Sequence, residues 1–314
     1  MNNKLPITVL IPTLNADEQL EEAILSCIDH VYEIMILDSL SLDKTIDIAL
    51  KYNLKVVQRP FTYYGDHFQW MIKNMPVETK WIFTMAQDEV FSEKLINELK
   101  LMFVNEDKLL DAYTVKWRLW FMGKPLHIVQ EVTRLFKKDK CNISDTYCNE
   151  QVLISGITGK INGHLEHKDS PSLYKWYQKQ AYYAILEAKA KIEKKRSLAE
   201  KPMLFGNRLQ RRMYFKKIFF SFPFRYQIIY LYNLLYKGAW RDGKVGFAWA
   251  HLRSEVYRMW EYTEIEMRNT GKIPQNPKIS HGSFDTRIIN SPLQVKLLPE
   301  TIELWTKSQK SAGF

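Results

Sequence analysis

The chain has 314 residues, which is enough for one large domain or for a domain with an appendage. Hydrophobic residues make up 46% and charged residues 25%, values that are ordinary for a soluble globular protein. Cys27, Cys141 and Cys148 are an odd set without metal-ligand spacing, which argues against a zinc module and predicts a reducing compartment. The first residues, MNNKLPITVLIP, contain no apolar segment of signal-peptide length, so we expect a cytoplasmic protein.

The net charge of +10 is concentrated in one part of the chain. Twelve Lys and Arg residues lie between Lys201 and Trp260, against only Asp242 and Glu255. The remainder of the chain is neutral. Such asymmetry is typical of a protein with an anionic partner, either a membrane surface or a nucleic acid.

The first hundred residues predict strands and helices in alternation. Apolar runs indicate the strands, and apolar residues at helical spacing indicate the helices between them. In chain order the elements are strand Ile7–Ile11, helix Glu18–Cys27, strand Ile34–Leu37, helix Thr45–Tyr52, strand Lys55–Val57, helix His67–Asn74, strand Trp81–Met85 and helix Leu95–Phe103. Strands separated by single helices predict a parallel, Rossmann-like sheet with right-handed crossovers.

From residue 112 the pattern changes. Further strands are predicted at Ala112–Phe121, Val132–Phe136 and Lys160–Leu165, and the turn after the first of them favours a mixed sheet. Pro171 opens a predicted helix that continues to Lys195.

A segment of different composition follows. Aromatic residues are interleaved with the basic residues over Phe205–Trp260. Its part Ile218–Tyr236 approaches the length of a membrane span, but Pro223 and Arg225 interrupt it, and a central Arg costs about 2.5–3.5 kcal/mol in a bilayer. A helix that lies in the membrane interface fits better, and core helices with a basic outer face are the alternative.

These patterns predict an α/β fold, a Rossmann-like mixed sheet flanked by helices with a helical C-terminal region. Residues 1–200 are expected to form the sheet domain. Residues 201–269 are expected to form a basic, aromatic, helical region that associates with a membrane, and residues 270–314 a polar C-terminal tail that lies over the surface.

Two of the predicted strands end at carboxylates. EIMILD ends at Asp38, and WIFTMAQDEVF contains the pair Asp88 and Glu89. The carboxyl ends of parallel strands meet at one edge of a sheet, where α/β folds bind ligands. Asp38 is expected to accept hydrogen bonds from a nucleobase or ribose, or else to cap the next helix. Asp88 and Glu89 are expected to hold Mg²⁺ or Mn²⁺ against a diphosphate, or else to form an acidic loop that caps the helix from Ser92.

Later positions carry further candidate groups. Glu150, in DTYCNEQV, is a candidate general base, although a lone Glu in a loop is most often a surface charge. In GHLEH, His164 and His167 would face opposite ways on a strand, which argues against a zinc pair and leaves one His for a diphosphate or metal. The sequence has no Walker loop, GxGxxG, HExxH or GxSxG motif, which weakens kinase, dehydrogenase, protease and esterase interpretations.

The order and spacing of six segments resemble the family 2 glycosyltransferases of the GT-A fold. The segments are ITVLIPTLNADEQLEEAILSC, EIMILDSLSLDKTIDIALKY, VVQRPFTYYGDHFQWMI, WIFTMAQDEVFSEKLINEL, CNEQV and GHLEHKDSPSLYKWYQKQAYY. The likeness spans about Ile7–Lys191. It is greatest to the branch that includes lipopolysaccharide-core β-glucosyltransferases.

The resemblance implies an inverting transferase that uses a nucleotide-sugar donor. Matched to the family's motifs, Pro12, Thr13 and Leu14 would line the base pocket, and Asp38 would hold the base or ribose. His167 would correspond to a His near the diphosphate and its metal.

Two positions depart from the family's motifs. Where the family often reads Asp-Ala-Asp-Glu, this chain reads Ala86–Gln87–Asp88–Glu89. Asp88 would be the surviving metal-ligating carboxylate, and Gln87 or water would take over part of the first carboxylate's role. Glu150 matches the Glu of a His-Glu pair and would be the general base, with Asn149 in place of the His.

We therefore expect a glycosyltransferase on the inner face of the plasma membrane that extends a surface glycan such as lipopolysaccharide core, lipooligosaccharide or capsule. Its partners would be a nucleotide-sugar, a lipid-linked or oligosaccharide acceptor and an anionic membrane surface, with no nucleic acid. The alternatives are a polyprenyl-phosphate glycosyltransferase, a nucleic-acid-binding module whose aromatic residues stack on bases, and a catalytically inactive scaffold. A lipid-phosphate product would favour the first, salt-dependent binding to DNA or RNA the second, and the absence of any transfer the third.

Overall fold

The computed structural model describes residues 4–169, 171–193, 203–206, 210–211, 214–215, 218–219, 222–274, 282–294 and 296–297. Its strands are β1 Leu5–Thr13, β2 Val31–Asp38, β3 Lys55–Gln58, β4 Trp81–Thr84, β5 Glu89–Phe91, β6 Ala112–Phe121, β7 Lys124–Lys137, β8 Cys141–Ile143, β9 Val152–Ile154 and β10 Thr158–His167. Within the described residues, eight strands form one mixed sheet in the order β3-β2-β1-β4-β7-β6-β10-β5, and β8 pairs with β9.

Helices cover both faces of the sheet. They are α1 Leu20–Leu25, α2 Thr45–Lys51, α3 Tyr64–Asn74, α4 Glu93–Met102, α5 Leu173–Ile192, α6 Arg225–Leu231, α7 Gly243–Thr270 and α8 Thr286–Ile289. Buried residues of α1, α2 and α4 join one hydrophobic cluster, and those of α3 join a second cluster on the opposite face. The predicted fold class, a Rossmann-like mixed sheet flanked by helices, is confirmed. The helix predicted from Pro171 is α5, and the predicted end at Lys195 lies outside the described residues.

The first half of the sheet is parallel, as the sequence predicts. β1 pairs in parallel with β2 and β4, and β2 pairs in parallel with β3. Ile7, Val9 and Leu10 of β1 are fully buried, because helices cover both faces of a parallel sheet. The register places Thr13, the last residue of β1, beside Asp38, the last residue of β2.

The second half of the sheet is mixed. β7 is antiparallel to β4 and β6, while β10 is parallel to β6 and antiparallel to β5. β6 and β7 are joined at Met122 and Gly123, whose φ values of 50° and 73° suit a two-residue hairpin turn of the primed type. In the β10–β5 ladder His167 lies opposite Glu89. The end of β10 is therefore next to the loop that follows β4.

The described C-terminal helices share a hydrophobic cluster with the β6–β7 hairpin. Leu119 and Ile128 of the hairpin pack in this cluster with Trp176 of α5 and Trp249 of α7. Among helices in the described ranges, we find none whose length and hydropathy suit a membrane span. The predicted division at residues 200 and 269 stays a prediction. Five basic residues of the C-terminal region lie outside the described residues: Lys201, Arg208, Arg212, Lys216 and Lys217.

Part of the predicted tail is built into the edge of the sheet. The Gln294 side chain is fully buried; its Oε1 accepts from the Gln58 N–H (2.8 Å) and its Nε2 donates to the Gln58 carbonyl (3.1 Å). The Gln58 side chain accepts from the Asp285 N–H (2.7 Å) and donates to Asp38 Oδ2 (3.0 Å). Residues 282–294 therefore cover edge strand β3 and reach the Asp38 carboxylate through one side chain. Tail residues 275–281, 295 and 298–314 lie outside the described residues.

Gln294→Ala is expected to lower the free energy of unfolding by about 2 kcal/mol, because it leaves a buried N–H and a buried carbonyl of Gln58 without their partner. Urea unfolding followed by circular dichroism measures this change. Asn290→Ala, at an exposed amide in the same segment, is the matched control and should change stability by less than about 0.5 kcal/mol. Equal effects of the two substitutions would show that the tail contact does not stabilise the fold.

Candidate active site

A cavity of about 350 Å³ opens at the carboxyl ends of β1, β2 and β4. This volume lies within the range of small-molecule sites, roughly 300–1,000 Å³. Five residues of the predicted donor site line it: Pro12, Thr13, Leu14, Gln87 and Asp88. The structure thus brings the ends of three strands to one cleft, as their parallel arrangement requires.

Asp38 lies next to this cavity, beneath its lining. The carboxylate is fully buried and accepts from Thr13 Oγ1 (3.1 Å), the Ser41 N–H (3.0 Å) and Gln58 Nε2 (3.0 Å). The neighbouring Ser39 lines the cavity instead. Asp38 therefore positions Thr13 in this structure, and its direct contact with a base or ribose stays a prediction.

The alternative role of Asp38 as a helix cap can be compared with the contacts at the start of α2. There, Asp43 Oδ1 accepts from the Thr45 N–H at 2.9 Å. Asp38 instead bonds to Ser41, which lies before the helix. Asp43, and not Asp38, therefore accepts the hydrogen bond from the first turn of α2.

Gln87 connects two of the loops at this edge. Its Oε1 accepts from the Leu14 N–H (2.9 Å), and its Nε2 lies 3.4 Å from the Leu14 carbonyl. The amide thus holds the end of β1 against the loop after β4. A share of Gln87 in metal binding, which the family likeness implies, stays a prediction.

Asp88 is the centre of a group of charged side chains. Its Oδ2 lies 3.4 Å from His167 Nε2 and 3.4 Å from Lys179 Nζ, while Lys179 Nζ lies 2.6 Å from Asp169 Oδ1. Burial raises the pKa of Asp88, but the Lys179 ammonium and His167 outweigh it and hold this pKa well below its usual range. Asp88 is therefore ionised at neutral pH.

The residues around Asp88 fit a divalent cation. Among the described residues, Asp88, His167 and Asp169 form a group whose ligand atoms all lie within 4.8 Å of one another. The His167 ring stacks on Trp117 at 4.0 Å between centroids, and its buried Nδ1 has no hydrogen-bond partner within the described part of the chain. Two carboxylates with one imidazole suit Mn²⁺ better than Mg²⁺, which prefers oxygen ligands.

Glu89 has a structural role in the same loop. Its side chain is fully buried, forms an ion pair with Arg134, and accepts from the Ala86 N–H at 2.8 Å. Ser92, not Glu89 or Asp88, is the N-cap of α4 and accepts from the Leu95 N–H. Asp88 thus lines the cavity, whereas Glu89 stabilises the loop that carries Asp88.

Glu150 lies beside the cavity without lining it. It is close enough to Arg134 and to Tyr183, which does line the cavity, for electrostatic interaction with both. Burial raises the pKa of Glu150 above its ordinary value. The preceding Asn149 has a φ of 55°, a conformation that Asn tolerates better than most residues. The role of Glu150 as a general base stays a prediction.

The cavity residues that were not predicted from the sequence include Asp169, Lys179 and Tyr183. Lys175, Lys179 and Tyr183 recur at every fourth position of α5, so a single face of this helix lines the cavity. Asp169 follows His167 by two residues at the end of β10. Two features of the sequence could have indicated these residues: the helical spacing in KWYQKQAYY and the HKD triplet.

Comparison with known proteins agrees with this geometry. Residues 8–149 match the model of the family described as Glycosyl transferase family 2. This range includes Asp38 and Asp88 and ends just before Glu150. The match covers the parallel half of the sheet and the loop after β4.

Curated relatives carry the same description. An uncharacterised glycosyltransferase of Rickettsia prowazekii is 26% identical over 208 residues, which cover 62% of this chain and 70% of the relative. Another, from Rickettsia bellii, is 29% identical over 146 residues, which cover 45% and 49%. The family match and these relatives support a transferase of glycosyltransferase family 2. The lipopolysaccharide-core branch is not confirmed by them.

Solved structures show weaker likeness. S. aureus TarS has a TM-score of 0.39 and 13% identity over 78% of this chain and 54% of that chain. Glucosyl-3-phosphoglycerate synthase from Mycobacterium tuberculosis, crystallised with Mn²⁺, uridine diphosphate and phosphoglyceric acid, has a TM-score of 0.31 and 20% identity over 36% and 44%. This chain thus spans about half the length of each.

Proposed function

We propose that the protein is an inverting glycosyltransferase that moves a sugar from a nucleotide-sugar to an acceptor hydroxyl. The observation that carries this proposal is the charged group at one end of the cavity, where Lys179 lies between Asp88 and Asp169 with His167 beside them. Carboxylates that suit a cation and an ammonium that suits phosphate together match the diphosphate of an activated sugar. The family match supports the same reaction.

The two ends of the cavity differ in chemistry, which suggests how the donor lies. Ser39, Phe61 and His67 line the end next to β2, where aromatic surface and polar groups suit a base and ribose. Asp88 and Lys179 line the end next to α5, where the diphosphate would lie. The sugar would then extend towards Tyr183 and Glu150.

In an inverting transfer the acceptor hydroxyl attacks the sugar from the face opposite the leaving diphosphate, and a general base takes its proton. Glu150 is the base in this proposal, because its raised pKa brings it closer to the operating pH. Lys179 would stabilise negative charge on the departing nucleoside diphosphate. A divalent cation held by Asp88, His167 and Asp169 would add positive charge at the same place.

A thermal-shift screen of nucleoside diphosphates and nucleotide-sugars, each with and without Mn²⁺, tests the donor. A ligand that binds only the folded state raises the melting temperature, so one nucleotide should stabilise the protein above the others. ATP with Mn²⁺ is the control for unspecific binding. No stabilisation by any nucleotide-sugar at millimolar concentration would contradict the proposal.

The acceptor proposed here is a lipid-linked glycan, as in lipopolysaccharide-core synthesis, presented at an anionic membrane surface. One exposed face of α6 and the π-helical turn 232–236 supports it. Its apolar residues recur at helical spacing: Ile228, Leu231, Tyr232, Leu235 and Tyr236, the last 78% exposed. Trp240 and Phe247 are also exposed, and Lys237, Arg241 and Lys244 lie among these residues in the sequence. Aromatic residues beside cations suit a headgroup interface.

Replacing Lys237, Arg241 and Lys244 together by Gln should weaken binding to vesicles with 30% phosphatidylserine by roughly 100-fold, since each cation contributes about 1 kcal/mol near an anionic surface. Vesicle sedimentation measures the partition. A triple change of Lys73, Lys94 and Lys100 to Gln, on α3 and α4, removes equal charge elsewhere and should have little effect. Equal losses in both variants, or stronger binding to RNA than to vesicles, would contradict a membrane surface.

A further inference from the structure

The Lys179 ammonium lies against the oxygens that a divalent cation would need. Its Nζ is 2.6 Å from Asp169 Oδ1 and 3.4 Å from Asp88 Oδ2. These carboxylates are two of the three members of the candidate cation group, and His167 is the third. A positive charge of the protein therefore already shares this site.

The ammonium and a divalent cation would not share these oxygens without strong repulsion. A bound Mg²⁺ ion lies about 2.0–2.1 Å from carboxylate oxygens, and Mn²⁺ favours the same kind of ligand, so either ion would take the position that Lys179 Nζ now faces. Two cations so close repel each other strongly where burial limits screening by water.

Lys179 also reaches the space that a donor would fill. It lines the cavity together with Asp88, and its side chain is 31% exposed. An ammonium on a flexible stem can turn from carboxylates to a phosphate without movement of the helix. The neighbouring Lys175, four residues earlier on α5, instead pairs with Glu18 at 2.9 Å.

We propose that Lys179 and the divalent cation compete for Asp88 and Asp169. The donor diphosphate relieves this competition, because the Lys179 ammonium then pairs with the diphosphate instead of the carboxylates. Metal binding and donor binding then strengthen each other, because each frees the groups that the other needs. The competition is a property of the protein alone. The relief by diphosphate rests on the function proposed above.

Binding of Mn²⁺, followed by the loss of the free-ion signal in electron paramagnetic resonance, tests the competition without any sugar transfer. Lys179→Met should bind Mn²⁺ at least tenfold more tightly than the wild type. Lys179→Arg keeps the charge and should bind as weakly as the wild type. Lys189→Met, the matched control on the same helix, removes a lysine that pairs with Glu193 and does not line the cavity, so it should leave the affinity unchanged. If the methionine variant fails to fold, Lys179→Gln provides the same comparison.

Unchanged or weaker Mn²⁺ binding by the folded, uncharged Lys179 variant would overturn the competition. Repeating the titrations with saturating UDP tests the second part of the proposal, that a diphosphate relieves the competition. UDP should raise the Mn²⁺ affinity of the wild type more than that of Lys179→Met, by at least threefold. An equal increase in both would overturn the relief by diphosphate. Absence of UDP binding to the wild type would instead contradict the proposed donor and leave the competition standing.

Discussion

Asp88→Asn is expected to lower kcat/KM for sugar transfer by about 10³-fold, as is typical when one group that stabilises transition-state charge is removed. Asn has nearly the shape of Asp but no charge, so the anionic ligand that Asp88 offers to a cation is replaced by a weaker, neutral one. The fold should persist, because Lys179 keeps Asp169 as its ion-pair partner. Initial rates with the donor found by the thermal-shift screen measure the effect.

The matched control is Asp107→Asn, an exposed carboxylate on the 3₁₀ turn 103–108. The adjacent Glu106 accepts from Trp81 Nε1 at the start of β4, so this turn lies at the opposite end of the strand that leads to Asp88. Asp107→Asn should transfer sugar at the wild-type rate. Wild-type turnover in Asp88→Asn would remove Asp88 from the mechanism.

Glu150→Gln is expected to lower kcat by 10²–10⁴-fold, the usual contribution of a general base. The pH dependence gives a second readout. A base acts only when it is deprotonated, so wild-type activity should fall as the pH drops through the raised pKa of Glu150, above the ordinary value of 4.5. The residual activity of the Gln variant should lack this decline at acid pH.

Stability separates this chemical role from a structural one. A carboxyl whose pKa is raised in the folded state stabilises the protein below its unfolded pKa, and that contribution is lost as the pH rises through the folded pKa. At pH 7 the neutral Gln should therefore unfold at the same temperature as the wild type or slightly higher. Asp145→Asn, in the same loop and exposed, is the control for activity. Full activity of Glu150→Gln would exclude Glu150 as the base.

The parallel half of the sheet could be predicted because its signals are local. Each strand there is a short apolar run that helices bury on both sides, and its ends agree with the observed ends within three residues. β5, β8 and β9 were missed, because each has three residues and shows no periodicity. The first half of β7 was also missed, since Pro125 and the polar residues before Val132 resemble a loop.

In the site, too, the residues with local sequence signals could be predicted and those brought together by distant pairings could not. Asp88 could be placed because it comes shortly after a predicted parallel strand, whereas Thr13 was assigned to the site through the family likeness. His167 meets Asp88 through the β10–β5 pairing, which joins residues almost 80 positions apart and leaves no local pattern. Lys179 arrives from a helix that no residue spacing connects with β4. The family likeness supplied His167, whereas Asp169 and Lys179 required the tertiary structure.

A crystal structure of the protein with a nucleoside diphosphate and Mn²⁺ would test most directly whether this cleft binds the donor. We expect the base beside Ser39 and Phe61, and the diphosphate within reach of Lys179, with the ion on Asp88. A nucleotide bound anywhere other than the cleft between β2 and α5 would contradict the assignment of this site.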